Sequence, residues 1–254
     1  MTFIVAVAGK GGVGKSTISA LLVRELARRS GKVVLAVDAD PNSNLGEKLG
    51  VAVERTIGNI REDLLDRSDE IAAGASKAEA VMYQLRLATV EGREFDLVTM
   101  GRSEGRGCYC YVNNLLRTFL DNTMDDYPYV IIDNEAGMEH LSRRTCQRMD
   151  VLLVVSDATR VGLDTAGRIL ALAKEMGIEI GRAVLAINRA SGSLPGELRT
   201  RIPDGFSTVL TLPVDPLVEE AAVNGMPLGS LPLDSVIVTA VQGLAAELTA
   251  ARSV

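Results

Sequence analysis

The sequence predicts an α/β protein built on a doubly wound, mostly parallel sheet flanked by helices, and three observations carry that expectation. Short runs of continuous apolar residues recur along the 254-residue chain, as strands buried on both faces require. Segments with apolar residues at helical spacing separate them, and strands alternating with helices build a parallel sheet. Several of the apolar runs end in glycine, aspartate or asparagine. In open sheets of this kind ligands sit at the carboxyl ends of strands. No internal repeat or linker interrupts the pattern, so residues 1–254 are expected to form a single domain.

Composition narrows the function classes. Aromatic residues make up 4% of the chain and Trp is missing, so the core must be built from Val, Leu, Ile and Ala. A net charge of −6 opposes a general nucleic-acid surface, which needs a basic patch. No apolar run approaches the roughly 20 residues that span a bilayer. The first residues lead directly into a glycine turn, so no signal peptide is expected. Three cysteines, an odd number, do not suggest a disulfide framework. The expectation is a cytoplasmic protein without nucleic-acid or membrane partners.

The first element is a strand over residues 2–8, followed by Gly9-Lys10-Gly11-Gly12-Val13-Gly14-Lys15-Ser16-Thr17. That run fits the phosphate-loop pattern G-x-x-x-x-G-K-[ST]. Apolar Ile18, Leu21, Leu22, Val23 and Leu26 then predict a helix over 16–29. Strand, glycine turn and helix form a cradle of backbone N–H groups suited to an anion. Glycines at 11, 12 and 14 are expected to let phosphate oxygens approach closely. Gly11 to Thr17 are therefore candidate nucleotide-binding residues, Val13 included. Lys15 is expected to neutralise the β- and γ-phosphates of ATP, and the Ser16 hydroxyl to ligate Mg²⁺.

A second strand, over 32–38, ends in Asp38-Ala39-Asp40-Pro41-Asn42, which places two carboxylates at a ligand-bearing strand end. The same residues also favour a turn. Thr56 is a plausible cap for a helix carrying Ile57, Ile60, Leu64 and Leu65. Residues 76–90 fit either one helix or a helix then a strand, and a strand is expected over 95–101.

The loop that follows is glycine-rich and holds Cys108-Tyr109-Cys110, with a helix expected from Leu115. A Cys-x-Cys pair in a flexible loop brings two thiolates to one side of a metal; Zn²⁺, Cu(I), Ni²⁺ or an iron–sulfur cluster all fit. Two thiolates fall short of the four ligands of a closed zinc site, and a two-fold dimer would supply the other two. The alternative is that both cysteines pack as small apolar residues.

Strands over 127–132, 151–155 and 183–188 follow, with a helix over 162–176. The last strand and its turn cover 209–216, and helices over 217–223 and 235–248 close the chain. Asp133 and Asn188 stand at strand ends. Lone His140 is expected to be a capped or solvated residue, Cys146 a packing one, and 191–203 an insertion.

The run GKGGVGKST, with Lys10 directly after its first glycine, resembles the deviant Walker A motif of the MinD, ParA and nitrogenase iron protein superfamily of P-loop NTPases. That resemblance implies that Lys10 reaches the nucleotide of a second subunit. It also implies that Asp40 positions the attacking water, that Asp38 supports the metal or its waters, and that Asp133 holds Mg²⁺ through water. Gly137 would sense the γ-phosphate. Asn188 would read the adenine edge, beside a wall formed by the backbone of Pro213, Val214 and Asp215.

Two further stretches, GRGCYC and DNEAGMEHL, resemble the CooC family of ATPases that assist nickel insertion into carbon monoxide dehydrogenase and related enzymes. The resemblance implies a homodimer with Cys108 and Cys110 of both subunits around one Ni²⁺ or Zn²⁺. Its client would be carbon monoxide dehydrogenase or acetyl-CoA synthase. An iron-protein-like [4Fe-4S] electron-transfer ATPase is a second expectation, weakened because the segment after Asp133 has no cysteine where that family has one. A positioning ATPase of the MinD or ParA type is the third; the acidic balance and a final helix without a basic face disfavour it.

Overall fold

The computed structural model describes residues 1–60, 77–102, 109–136, 148–190, 192 and 194–250. Among them eight strands form one sheet in the order β3-β4-β2-β5-β1-β6-β7-β8. The strands are β1 (Phe3–Gly9), β2 (Val34–Ala39), β3 (Val90–Glu91), β4 (Phe95–Thr99), β5 (Tyr129–Asn134), β6 (Arg148–Asp157), β7 (Glu179–Asn188) and β8 (Thr208–Thr211). Every neighbouring pair is parallel except the short β3–β4 edge. The doubly wound, mostly parallel sheet is as the sequence predicts.

Helices α1 (Lys15–Ser30), α2 (Leu45–Leu49), α3 (Lys77–Leu87), α4 (Tyr109–Thr123), α5 (Arg160–Glu175) and α6 (Gly196–Arg199) lie between strands, and α7 (Pro216–Asn224) and α8 (Val236–Thr249) follow β8. The alternation of side chains along each strand divides the core into two layers. Val5, Val7, Ala36, Ile131 and Leu153 meet Ile18, Leu22 and Leu26 of α1 and Val241 and Leu244 of α8. Ile4, Ala6, Leu35, Val37 and Ile132 face the opposite way, against Leu116 and Phe119 of α4 and Leu163 and Ile169 of α5. With so few aromatics the sheet interior is almost wholly aliphatic, and each fully buried Leu or Ile contributes about 1.5–3 kcal/mol.

Local signals set the element ends. Thr159 caps α5 by accepting the Gly162 N–H, and Asp215 caps α7 by accepting the Leu217 N–H. Thr56 Oγ1 accepts the Asn59 N–H beneath Ile57 and Ile60, both fully buried, so the predicted cap is present; Leu64 and Leu65 lie outside the described residues.

Several boundaries differ from expectation. Between residues 77 and 91 the chain forms α3 and then β3, the helix-then-strand alternative of the two expected. Helix α4 begins at Tyr109 rather than near Leu115, so the Cys110 backbone stands in its first turn and not in a loop. Glycine density upstream hid that start, because the apolar face of the helix is legible only from Val112 onward. Strands β6 and β7 each run to ten residues, extended at their amino ends by polar positions that periodicity does not flag.

Candidate active site

Gly9 ends β1 and opens the turn because no other residue fits there. A Cβ on Gly9 would stand 2.2 Å from the Val155 carbonyl oxygen of neighbouring β6. At the far end of the turn Gly14 takes φ +95°, a conformation that favours glycine. A Cβ there would meet the Asn188 amide nitrogen at 2.5 Å. At Gly12 nothing lies within 4 Å of the missing Cβ, and its φ of +77° favours glycine.

Lys15, the first residue of α1, is only 7% exposed, and its Nζ donates to the Lys10 carbonyl at 3.3 Å. Burial lowers its pKa, opposed by the negative charges of Asp133, Asp40 and Glu135. Lys10 itself is exposed. Ser16 and Thr17 are half-buried at the head of the helix.

The strand ends place carboxylates against this lysine. Asp133 on β5 is 1% exposed and accepts the Ser19 hydroxyl at 3.0 Å through Oδ1, while Oδ2 has no hydrogen-bond partner. Burial pushes its pKa up to about 6, against the opposing influence of Ser16, Ser19 and Lys15. Asp38 on β2 is fully buried, and burial pushes its pKa up to about 7 despite N–H donors from Leu45 and Asp40. Those donors reach its two oxygens separately, Leu45 at 2.9 Å and Asp40 at 3.1 Å.

Asp38 thus braces the turn that presents Asp40. Asp40 Oδ1 accepts both the backbone N–H (2.8 Å) and the side-chain amide (2.9 Å) of Asn42. The Asn42 amide oxygen in turn accepts a hydrogen bond from Arg102, just beyond β4. Turn, helix head and Asp40 border an open cavity of about 400 Å³, lined by Gly11, Gly12, Gly14, Lys15, Ser16, Thr17, Asp40, Asn42, Asn44, Lys48, Ala136 and Arg189. That is the size of a small-ligand site.

A narrower slot of about 50 Å³ adjoins it, lined by residues that include Gly14, Thr17, Asn188, Arg189, Pro213, Val214 and Asp215. Asn188 is buried, and its amide donates to the Val13 carbonyl at 2.8 Å, which ties β7 to the turn. The Asp215 oxygens accept the Leu217 and Ile237 N–H groups. Lys48 and Arg189 line the cavity although the sequence reading passed over both. For Arg189 the only signal was its place beside Asn188.

Cys108, Gly137, His140 and Cys146 lie outside the described residues, as does the side chain of Cys110. Among the described residues no group of three or more His, Cys, Asp or Glu side chains is arranged to hold a metal ion. None of the helices among the described residues is long and apolar enough to cross a membrane.

A glycine turn at a helix head, a buried lysine and carboxylates at parallel strand ends define a P-loop ATPase. The family model described as an AAA domain matches residues 1–183, and the chain belongs to that family, with MinD and ParA proteins among its homologues. It is 42% identical over 248 residues to an uncharacterized ATP-binding protein of Methanocaldococcus jannaschii, covering 96% of this chain and 98% of that one. It is 32% identical over 233 residues to the carbon monoxide dehydrogenase accessory protein CooC of Rhodospirillum rubrum, covering 87% and 88%. The fold matches that of the septum site-determining protein MinD of Pyrococcus horikoshii, solved with Mg-ADP. There the TM-score is 0.72 at 21% identity, covering 100% of this chain and 98% of that one.

Proposed function

We propose that this ATPase works as a homodimer that couples ATP binding and hydrolysis to nickel delivery into an enzyme of the carbon monoxide dehydrogenase or acetyl-CoA synthase type. The observation behind the nickel reading is the 32% identity to a carbon monoxide dehydrogenase accessory protein across 87% of the chain.

In this reading the larger cavity takes the phosphates and the slot takes the base. Lys15, buried against carboxylates, holds the β- and γ-phosphates; Lys10, exposed at the turn, reaches the nucleotide of the second subunit. Asp40 orients the attacking water, for which its Oδ2 remains once Oδ1 has taken both Asn42 donors. Ser16 and Asp133 hold Mg²⁺ directly or through water. The residues suit a divalent cation, since a buried carboxylate oxygen without a donor beside a phosphate cradle invites one. When bound with ATP, Mg²⁺ would supply neutralisation of phosphate charge. Asp38 acts one step back, fixing the turn that carries Asp40. Asn188, with its carbonyl oxygen still available, reads the adenine edge beside Pro213, Val214 and Asp215.

Cys108 and Cys110 from two subunits form the shared site for the transported ion, Ni²⁺ or Zn²⁺. Metal analysis of the purified dimer with and without ATP, paired with capture of its client enzyme, tests this. Nickel bound in an ATP-dependent way supports it; an iron–sulfur absorbance band would point instead to an electron-transfer ATPase. The MinD and ParA homologues favour a second reading, a positioning ATPase. Against it stand the net charge of −6 and the sequence of α8, which has no Lys or Arg. ATP-dependent sedimentation with lipid or DNA would decide for that alternative.

A further inference from the structure

Arg189 follows Asn188 at the end of β7 with φ at +55°, one of two non-glycine residues with positive φ among those described. Residues with side chains enter this region rarely and at a cost. The kink persists because the backbone around it is pinned. The Ala190 N–H donates to the Leu212 carbonyl at 3.0 Å, and the Leu212 N–H donates to the Ile187 carbonyl at 2.8 Å. As a result two successive side chains part company. Asn188 is buried against Val13, while Arg189 stays exposed and donates from Nη1 to the Gly12 carbonyl at a long 3.3 Å. Strain held by the surrounding structure beside a ligand cavity is an observation from which a role can be sought.

Location supplies that role. The cavity at the glycine turn and the slot beside Asn188 share three lining residues, Gly14, Thr17 and Arg189. Arg189 alone of the three is charged. With the base in the slot and the β- and γ-phosphates in the cavity, a nucleotide carries its α-phosphate across this boundary. A guanidinium has five N–H donors, and here one of them makes a long bond to a neutral carbonyl. Exchanging that acceptor for phosphate oxygens would give charge-assisted bonds in a geometry that matches the planar fork.

We propose that Arg189 is a positioning residue that clamps the α-phosphate of the bound nucleotide, swinging from the Gly12 carbonyl onto it. This rests on the assignment of the slot to the base and the cavity to the terminal phosphates. The clamp would hold ATP and ADP equally, so it contributes to retention of nucleotide through the cycle rather than to discrimination of the γ-phosphate.

The test is displacement of a fluorescent ADP analogue by ATP, ADP, AMP and adenosine from the wild-type protein, Arg189→Gly and Arg189→Lys. Glycine suits the left-handed backbone, so Arg189→Gly should melt at or above the wild-type temperature without nucleotide. Its affinity should nonetheless fall about ten- to hundredfold, by a similar factor for ATP, ADP and AMP, with adenosine unchanged. The lysine variant should fall between the two. Weakening confined to ATP would place the contact at the γ-phosphate and overturn the proposal, as would an equal loss for adenosine or no loss at all. A wild-type protein that binds no ADP would sink the nucleotide-site assignment and the clamp with it. Wild-type ADP binding alongside an unweakened Arg189→Gly sinks the clamp alone.

Discussion

Asp38 and Asp133 stand opposite each other in the parallel register of β2 with β5, on the face covered by α1. Both carboxyls have pKa values raised mainly by burial, to about 7 and about 6. A carboxyl whose folded pKa exceeds its unfolded value binds more protons folded than unfolded. Stability should therefore fall as pH rises from the unfolded value near 4 through the folded values.

The nucleotide-free protein should accordingly lose thermal stability between about pH 5 and pH 8, and Asp133→Asn should flatten that slope. The same variant should melt higher than wild type at pH 8 while hydrolysing ATP far more slowly, since local instability is held at the site for function. Melting curves across pH, with and without MgATP, check this. A wild-type slope unchanged by the substitution would show that Asp133 is ionised without penalty.

Gly14 and Asn188 form a second constrained pair, joined across the Val13 carbonyl. Asn188→Ala leaves that carbonyl without its donor and should cost about 1–3 kcal/mol. Gly14→Ala should cost at least as much, through its φ of +95° and the 2.5 Å approach to the amide. Combining the two should cost less than their sum, because removing the amide relieves the clash. Denaturant unfolding of both single variants and the double one measures the coupling; strict additivity would mean the two side chains do not meet.

The two lysines of the turn should separate by function. Lys15→Ala should reduce ATP hydrolysis by a factor of at least about 100, as loss of a charge aimed at the developing phosphate charge does, and should weaken nucleotide binding. Lys10→Ala should keep most of its nucleotide affinity but lose ATP-dependent dimerisation. Phosphate release and sedimentation distinguish them. A Lys10 variant that dimerises with ATP like wild type is not missing an intersubunit contact.

Cysteine substitution addresses the transported ion. Cys108→Ala or Cys110→Ala should remove Ni²⁺ or Zn²⁺ binding while ATP binding persists, and wild type should bind one ion per dimer. Thiolate ligation releases protons, so the affinity should drop as pH falls. Nucleotide and metal should tighten each other by the same factor. One tight ion per chain, found by titration with sedimentation, would refute a shared site.

What the sequence determined by itself was local. Residues 9–17 carry their own chemistry, because a glycine turn between an apolar strand and an amphipathic helix needs no distant partner to be recognised. Most strands and long helices were legible for the same reason. Tertiary structure decided the order of the strands, to which hydrophobic period is blind, and with it every long-range pairing at the site. Only the insertion of β5 between β1 and β2 brings Asp133 beside Asp38. Only the packing of α1 on that face brings Ser19 to a carboxylate 114 positions away. Asn188 meets Val13 across 175 positions, and the kink that sends Arg189 out to the boundary of two cavities depends on pairing with Leu212. Such contacts arise when helices and strands bury their apolar faces together, so they belong to the assembled core and to no single stretch of the chain.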